Sequence, residues 1–88
     1  MNNYNISIAS DHAGFPLKQK IISYLEAASH NTQDLGTNNE FEKVDYPDYA
    51  AKLCENMLDQ SSDFGILICR SGIGMSIAAN RFSGIRAA

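Results

Sequence analysis

Residues 64–80 read FGILICRSGIGMSIAAN, and this stretch decides the fold. The apolar run from Phe64 to Ile68 predicts a strand, a turn from Cys69 to Gly74 follows it, and the Ala- and Ile-rich residues beyond the turn favour a helix. In a parallel sheet such a turn lies at the carboxyl end of its strand, where ligands bind in this architecture. The glycines let several backbone N–H groups face one point, and the helix N-terminus adds its positive dipole end. The stretch therefore predicts the thiol of Cys69 beside an anion-binding loop.

The chain before this stretch alternates strand and helix signals. In order, these are a strand over 4–10, a helix from Pro16, a short strand over 32–35, the polar loop TNNEFEKVD at 37–45 and a helix from Pro47. This order predicts a parallel sheet with right-handed crossovers and helices on both faces. We therefore expect a three-layer α/β/α domain with a Rossmann-like sheet.

Each predicted helix carries an apolar stripe that should pack on the sheet. The first stripe is Leu17, Ile21, Tyr24, Leu25 and Ala28, and the second is Ala50, Leu53, Cys54 and Met57. Residues 84–88 then predict the opening of a fourth strand with no helix after it. Because a parallel sheet needs both faces covered, we expect a domain truncated after the start of strand 4, and we expect self-association.

Length and charge restrict the class of protein. The 88 residues allow one domain, over 1–88, and no apolar run approaches the roughly 20 residues that span a bilayer. The net charge is −3 and the seven Lys and Arg residues are scattered, which argues against nucleic-acid and membrane partners. The N-terminus has no secretory signal pattern, so we expect a cytoplasmic protein with reduced cysteines.

Three motifs resemble those of the type B ribose-5-phosphate isomerases, whose wider family includes the galactose-6-phosphate isomerase subunits. They are DHAGF at 11–15, VDYPDYA at 44–50, and the run 69–80 followed by GIRA at 84–87. The resemblance implies a homodimeric enzyme of the pentose phosphate pathway that interconverts ribose 5-phosphate and ribulose 5-phosphate without a metal or cofactor. Family members run well beyond this length, and the further part normally supplies a ring-opening His, phosphate-binding Arg residues and a C-terminal helix at the dimer interface.

Aldose–ketose isomerisation needs a base near the sugar carbons and hydrogen-bond donors where the oxyanion develops. We assign the base to Cys69, since a thiol at a helix N-terminus beside a cation loses its proton more readily than an ordinary thiol. The alternative role for Cys69 is that of a small buried hydrophobic residue. This packing role is the one we assign to Cys54. The substrate-binding loop is assigned to Arg70, Ser71, Gly72, Ile73 and Gly74.

Arg70 departs from the resemblance, because the family commonly has Gly directly after the cysteine. We expect its side chain at the crevice rim, close enough to favour anions. Asp11 and His12 leave the first strand at the same sheet edge as Cys69. From the residues alone, Asp11 is either a helix N-cap or a substrate ligand, and His12 is either a solvated loop residue or a substrate ligand. The resemblance favours substrate binding for both, and His30 is assigned no function.

Two alternatives stand beside ribose-5-phosphate isomerisation. A truncated or degenerate family member would bind a sugar phosphate, or serve in assembly, without catalysis. The other alternative is an isomerase of a hexose 6-phosphate, such as galactose or allose 6-phosphate. Tyr46 is either a core aromatic or part of the pocket wall.

Overall fold

The computed structural model describes residues 3–41, 43–59, 62–69, 77, 79 and 80. The elements within these ranges are β1 (Asn5–Ser10), α1 (Phe15–Ala27), β2 (Asn31–Asp34), α2 (Tyr46–Leu58) and β3 (Phe64–Ile68). The predicted alternation of strands and helices is confirmed, with most bounds within one residue. Ile77, Ala79 and Asn80 are helical, as predicted after the turn, while the predicted fourth strand lies outside the described residues.

The sheet has the strand order β2-β1-β3, and both neighbouring pairs are parallel. β1 lies in the centre, so its residues Ile6 to Ser10 are all buried. In the register, Ser10 lies opposite Ile68. The carboxyl ends of β1 and β3 therefore finish level with each other, which places the residues that follow them side by side.

α1 and α2 cover opposite faces of the sheet. On one face the Ser7 hydroxyl bonds Asn56 of α2, and on the other the Asp34 carboxylate bonds Lys18 of α1. Asp34 is the register partner of Ile8, and successive side chains of a strand point to opposite faces. The predicted three-layer α/β/α architecture is confirmed. Within the described part of the chain, no helix is long and apolar enough to cross a membrane.

The two predicted apolar stripes have different outcomes. The stripe of α2 is confirmed, since Ala50, Leu53 and Cys54 are buried and Met57 is half-buried. The stripe of α1 is wrong in part, because Leu17 is 51% exposed and Tyr24 is 75% exposed. Lys18 and Gly14, the residue just before the helix, face the sheet instead, and Lys18 is the one fully buried residue of the helix. The close approach that Gly14 permits fixes this rotation.

Candidate functional site

Asp11 and Cys69 follow the level ends of β1 and β3. The backbone N–H of Asp11 donates to the carbonyl oxygen of Ile68 at 3.1 Å, which extends the strand pairing by one step. Asp11 is only 8% exposed, whereas Cys69 is half-buried. The structure therefore brings the carboxylate and the thiol to the same edge of the sheet. Neither Cys69 nor Cys54 is in a disulfide.

The Asp11 carboxylate has a structural bond at the start of α1. Its Oδ1 accepts a hydrogen bond of 2.9 Å from the backbone N–H of Gly14, which is the N-cap residue of the helix. Asp11 is thus not the N-cap itself, but its side chain orders the turn that leads into the helix. A carboxylate has two oxygens with about four acceptor positions, so this bond leaves acceptor capacity for a ligand.

His12 connects the sheet edge to the loop at 37–45. The half-buried imidazole accepts a hydrogen bond at Nδ1 from the backbone N–H of Val44, at 3.3 Å. His12 is therefore only partly solvated, and substrate binding by this residue stays a prediction. An imidazole that accepts at Nδ1 carries its proton at Nε2 when neutral, so the other ring nitrogen of His12 is a donor. This donor suits an anionic or hydroxyl-bearing ligand.

The start of the same loop is tied to β1. The Ser10 N–H donates to the carbonyl oxygen of Gly36 at 2.8 Å, and the Thr37 N–H donates back to the Ser10 carbonyl oxygen at 3.0 Å. Gly36 has a φ of 105°, a conformation that favours glycine. Both ends of the loop thus lie at the edge that holds Asp11 and Cys69.

Lys18 and Asp34 hold this loop, but the sequence did not lead us to predict a role for either residue. Lys18 Nζ donates to Asp34 Oδ1 at 2.5 Å and to the Thr37 carbonyl oxygen at 2.8 Å. The signal in the sequence was weak, since a Lys beside apolar residues in a helix is usually a solvated one. An Asp at the end of a strand was the better indication, because that position faces the ligand edge.

The remaining predicted site residues, Arg70, Ser71, Gly72, Ile73 and Gly74, lie outside the described residues, as does the side chain of Tyr46. Cys54 is fully buried in α2, and its Sγ lies 3.8 Å from the carbonyl oxygen of Ala79. Burial, together with the carboxylate of Glu55, raises the pKa of the Cys54 thiol. These contacts fit its assignment to packing.

His30 lies at the opposite edge of the sheet from the candidate site. Its Nδ1 accepts from the Tyr4 N–H at 3.1 Å, and the two rings stack. The structure therefore does not bring the two histidines together. Among the described residues, no three His, Cys, Asp or Glu side chains converge in a way that could hold a metal ion.

Comparison with known proteins identifies what the chain is similar to. The family model described as Ribose/Galactose Isomerase matches residues 6–88. A putative sugar phosphate isomerase of Rickettsia conorii is 58% identical over 88 residues, which are all of this chain and 60% of that protein. The chain thus spans less than two thirds of the length of that relative.

Solved structures share the fold as well, among them two ribose-5-phosphate isomerases. The crystal structure of a ribose 5-phosphate isomerase from Thermotoga maritima superposes with a TM-score of 0.95 at 54% identity, over 99% of this chain and 59% of that one. Ribose-5-phosphate isomerase B from Mycoplasma genitalium, solved with bound ribulose-5-phosphate, gives a TM-score of 0.86 at 42% identity, over 96% of this chain and 56% of the other.

Proposed function

We infer the function from one premise: this chain belongs to the ribose/galactose isomerase family. We propose that the protein carrying it interconverts ribose 5-phosphate and ribulose 5-phosphate, and that this chain contributes the base and part of the sugar-binding site. The observation that supports this proposal is the backbone pairing of Asp11 with Ile68, since Cys69 follows Ile68 and both residues therefore lie at the ligand edge of a parallel sheet.

The proposed reaction moves one proton through an enediolate. The Cys69 thiolate takes the proton from C2 of the open-chain aldose, and the electrons of that C–H bond form the C1–C2 double bond while the carbonyl oxygen becomes an oxyanion. The same thiol then returns the proton to C1 while the hydroxyl proton on O2 passes to O1, so that the oxygen at C2 becomes the ketose carbonyl and the oxygen at C1 becomes a hydroxyl. Backbone N–H groups of residues 70–74 would stabilise the oxyanion.

Asp11 and His12 are proposed to hold the sugar. The acceptor positions of the Asp11 carboxylate that Gly14 does not use suit sugar hydroxyls, and a neutral His12 offers its Nε2–H to an oxygen. His12 is also bonded to Val44, so a ligand bound there would contact a residue that already anchors the loop at 37–45. We propose no metal and no cofactor for this reaction.

We propose the pentose phosphate as the substrate, since the structure from M. genitalium that shares this fold holds ribulose-5-phosphate. The pentose phosphate pathway would then be its setting. The hexose alternative differs by one carbon between the phosphate and the reacting end. Kinetics can distinguish the pentose phosphate from the hexose 6-phosphate. A sugar that is bound by its phosphate and is one carbon longer presents a different carbon to the base.

We also propose a homodimer in the cytoplasm. Several large apolar side chains of the described residues are exposed, as expected for surfaces that another chain covers. They are Tyr4, Leu17, Tyr24, Phe41, Leu58, Phe64 and Ile77. Sedimentation should show a dimer at micromolar concentration, and a folded monomer there would contradict the proposal.

The test compares three sugars and two cysteines in the protein that carries this chain. Ribose 5-phosphate, galactose 6-phosphate and allose 6-phosphate are each assayed for aldose-to-ketose conversion with the wild type, Cys69→Ala and Cys54→Ala. We expect the highest kcat/KM for ribose 5-phosphate, loss of turnover in Cys69→Ala and near-normal turnover in Cys54→Ala. Binding of ribose 5-phosphate with no turnover of any sugar would instead favour the non-catalytic module.

A further inference from the structure

Lys18 is a fully buried cation in α1. It is 0% exposed, and its ammonium lies 2.5 Å from Asp34 Oδ1 and 2.8 Å from the Thr37 carbonyl oxygen. The ammonium also lies 5.1 Å from the centroid of the Phe15 ring. Lys18 thus connects the first helix to the end of β2 and to the beginning of the loop at 37–45.

Stability alone does not explain a lysine at this position. Burying an ammonium costs several kcal/mol of lost hydration, and even a good ion pair often only offsets that cost. An apolar side chain of similar length, such as Met, would fill the same space without it. The feature that an apolar residue could not reproduce is the geometry that Lys18 imposes on its two acceptors.

The hydrogen bonds of this ion pair lead on to Ser10, the residue before Asp11. Asp34 Oδ1 accepts from Lys18 and also from the backbone N–H of Gly36 at 2.9 Å. Gly36 and Thr37 in turn pair with both backbone groups of Ser10. The ammonium and the carboxylate therefore hold residues 34–37 against the end of β1, where Asp11 follows.

The loop that begins at this clamp ends at the candidate site. Its far end donates from the Val44 N–H to His12 Nδ1. We propose that Lys18 is a positioning residue, which fixes the loop at 37–45 and thereby holds His12 in its orientation for the ligand. The orienting part of this proposal rests on the proposed function, whereas the fixing of the loop stands on the contacts above.

The test replaces Lys18 by Met and compares it with Lys20→Met on the same helix. Lys20 is exposed and serves as the matched control. In Lys18→Met the Asp34 carboxylate can be hydrated, because its side chain is already 39% exposed. The Thr37 carbonyl oxygen, in a residue only 5% exposed, loses its donor, so we expect the melting temperature of Lys18→Met to be unchanged or slightly lower. A variant that only lost stability would melt lower without faster exchange in the loop.

Amide hydrogen exchange locates the effect. In Lys18→Met the N–H groups of Thr37 and Val44 should exchange at least about tenfold faster. The Leu35 N–H, which bonds the Ile8 carbonyl oxygen inside the sheet, should keep its rate. Lys20→Met should change none of the three. A lower melting temperature with unchanged exchange at Thr37 and Val44 would overturn the proposal.

A second variant and an activity readout complete the design. Asp34→Asn keeps a side-chain oxygen for Gly36 but removes the charge that pairs with Lys18. It should therefore also raise the exchange rate of the Thr37 N–H. An unchanged rate at Thr37 would count against the clamp, even if Lys18→Met failed to fold. In a protein that isomerises ribose 5-phosphate, Lys18→Met should lower kcat/KM at least about tenfold and Lys20→Met should not. Unchanged kcat/KM in Lys18→Met would overturn the orienting role. Inactivity of the wild type would reject the proposed function, while the exchange data would still decide on the clamp.

Discussion

Gly14 lies against Ile68 so closely that a Cβ on Gly14 would come within 2.7 Å of Ile68 Cγ2 and 2.8 Å of the Ile68 carbonyl oxygen. This contact joins the first turn of α1 to the end of β3, directly before Cys69. We expect Gly14→Ala to push the helix away from the strand and to destabilise the fold by about 1–3 kcal/mol, because the backbone oxygen cannot move aside.

Gly65→Ala is the matched control, since a Cβ there would also meet close atoms, Leu53 Cδ2 at 2.6 Å and Met57 Sδ at 3.2 Å. Those atoms end flexible side chains, which can shift at low cost. Urea unfolding should therefore show a clearly larger loss of stability for Gly14→Ala than for Gly65→Ala. Equal losses would mean that the approach of α1 to β3 is not tight.

Ser7 and Ser10 are both fully buried in β1 but differ in their hydroxyl partners. The Ser7 hydroxyl contacts Asn56 and Ser62, whereas Ser10 Oγ has no hydrogen-bond partner in the described part of the chain. A buried hydroxyl without a partner costs about 1–3 kcal/mol. Thermal unfolding should show that Ser7→Ala destabilises by about 1–2 kcal/mol and that Ser10→Ala is neutral or stabilising. A loss of stability in Ser10→Ala as large as that in Ser7→Ala would refute this difference.

The two cysteines should differ in their reactivity toward iodoacetamide. Cys54 is fully buried, whereas Cys69 is half-buried at the ligand edge. Mass spectrometry after brief labelling at neutral pH should find the reagent on Cys69 first, because an alkylating reagent must reach the sulfur. In denaturant both should react at similar rates. Faster labelling of Cys54 in the folded protein would reverse the roles assigned to the two thiols.

Cys54 should also make the stability of the protein depend on alkaline pH. Its pKa is raised by burial and by Glu55, so the folded state holds this proton more tightly than the unfolded chain does. The contribution of the protonated Cys54 thiol to the free energy of unfolding is fully present below about pH 8.5, where the thiol of the unfolded chain is protonated as well. Above that pH the unfolded chain loses its proton first, and the free energy of unfolding falls by at most about 1.4 kcal/mol per pH unit.

The measurement is urea unfolding of the wild type and of Cys54→Ala between pH 7 and pH 10. The difference in the free energy of unfolding between the wild type and Cys54→Ala should be constant up to about pH 8.5 and should then shrink as the pH rises. A difference that stays constant up to pH 10 would show that the folded state does not retain the thiol proton.

The fold was largely predictable because its signals are local. Phe64–Ile68 is a short apolar run before a turn, and Pro47 and Asp48 mark the start of α2, so both elements form where the sequence predicts them. The level ends of β1 and β3, which place Asp11 beside Cys69, follow from the topology of a parallel sheet. These features require no knowledge of distant side chains.

The rotation of α1 was not predictable in the same way. Leu17 and Tyr24 have helical spacing with other apolar residues, yet the close approach of Gly14 to Ile68 turns Lys18 toward the sheet. The partner of Lys18 is 16 positions away, on β2. The bond between His12 and Val44 spans 32 positions. Such pairings depend on how the elements pack, so the composition of one helix cannot show them.

In the proposed reaction, Cys69 moves a carbon-bound proton of a sugar phosphate at the sheet edge that it shares with Asp11. The most direct measurement is the conversion of ribose 5-phosphate in deuterium oxide by the protein that carries this chain, followed by NMR of the product. A thiol base exchanges its proton with solvent, so the wild type and Cys54→Ala should place deuterium at C1 of ribulose 5-phosphate, and Cys69→Ala should give neither product nor exchange. Conversion and deuterium incorporation by a folded Cys69→Ala variant at the wild-type rate would contradict this role of Cys69.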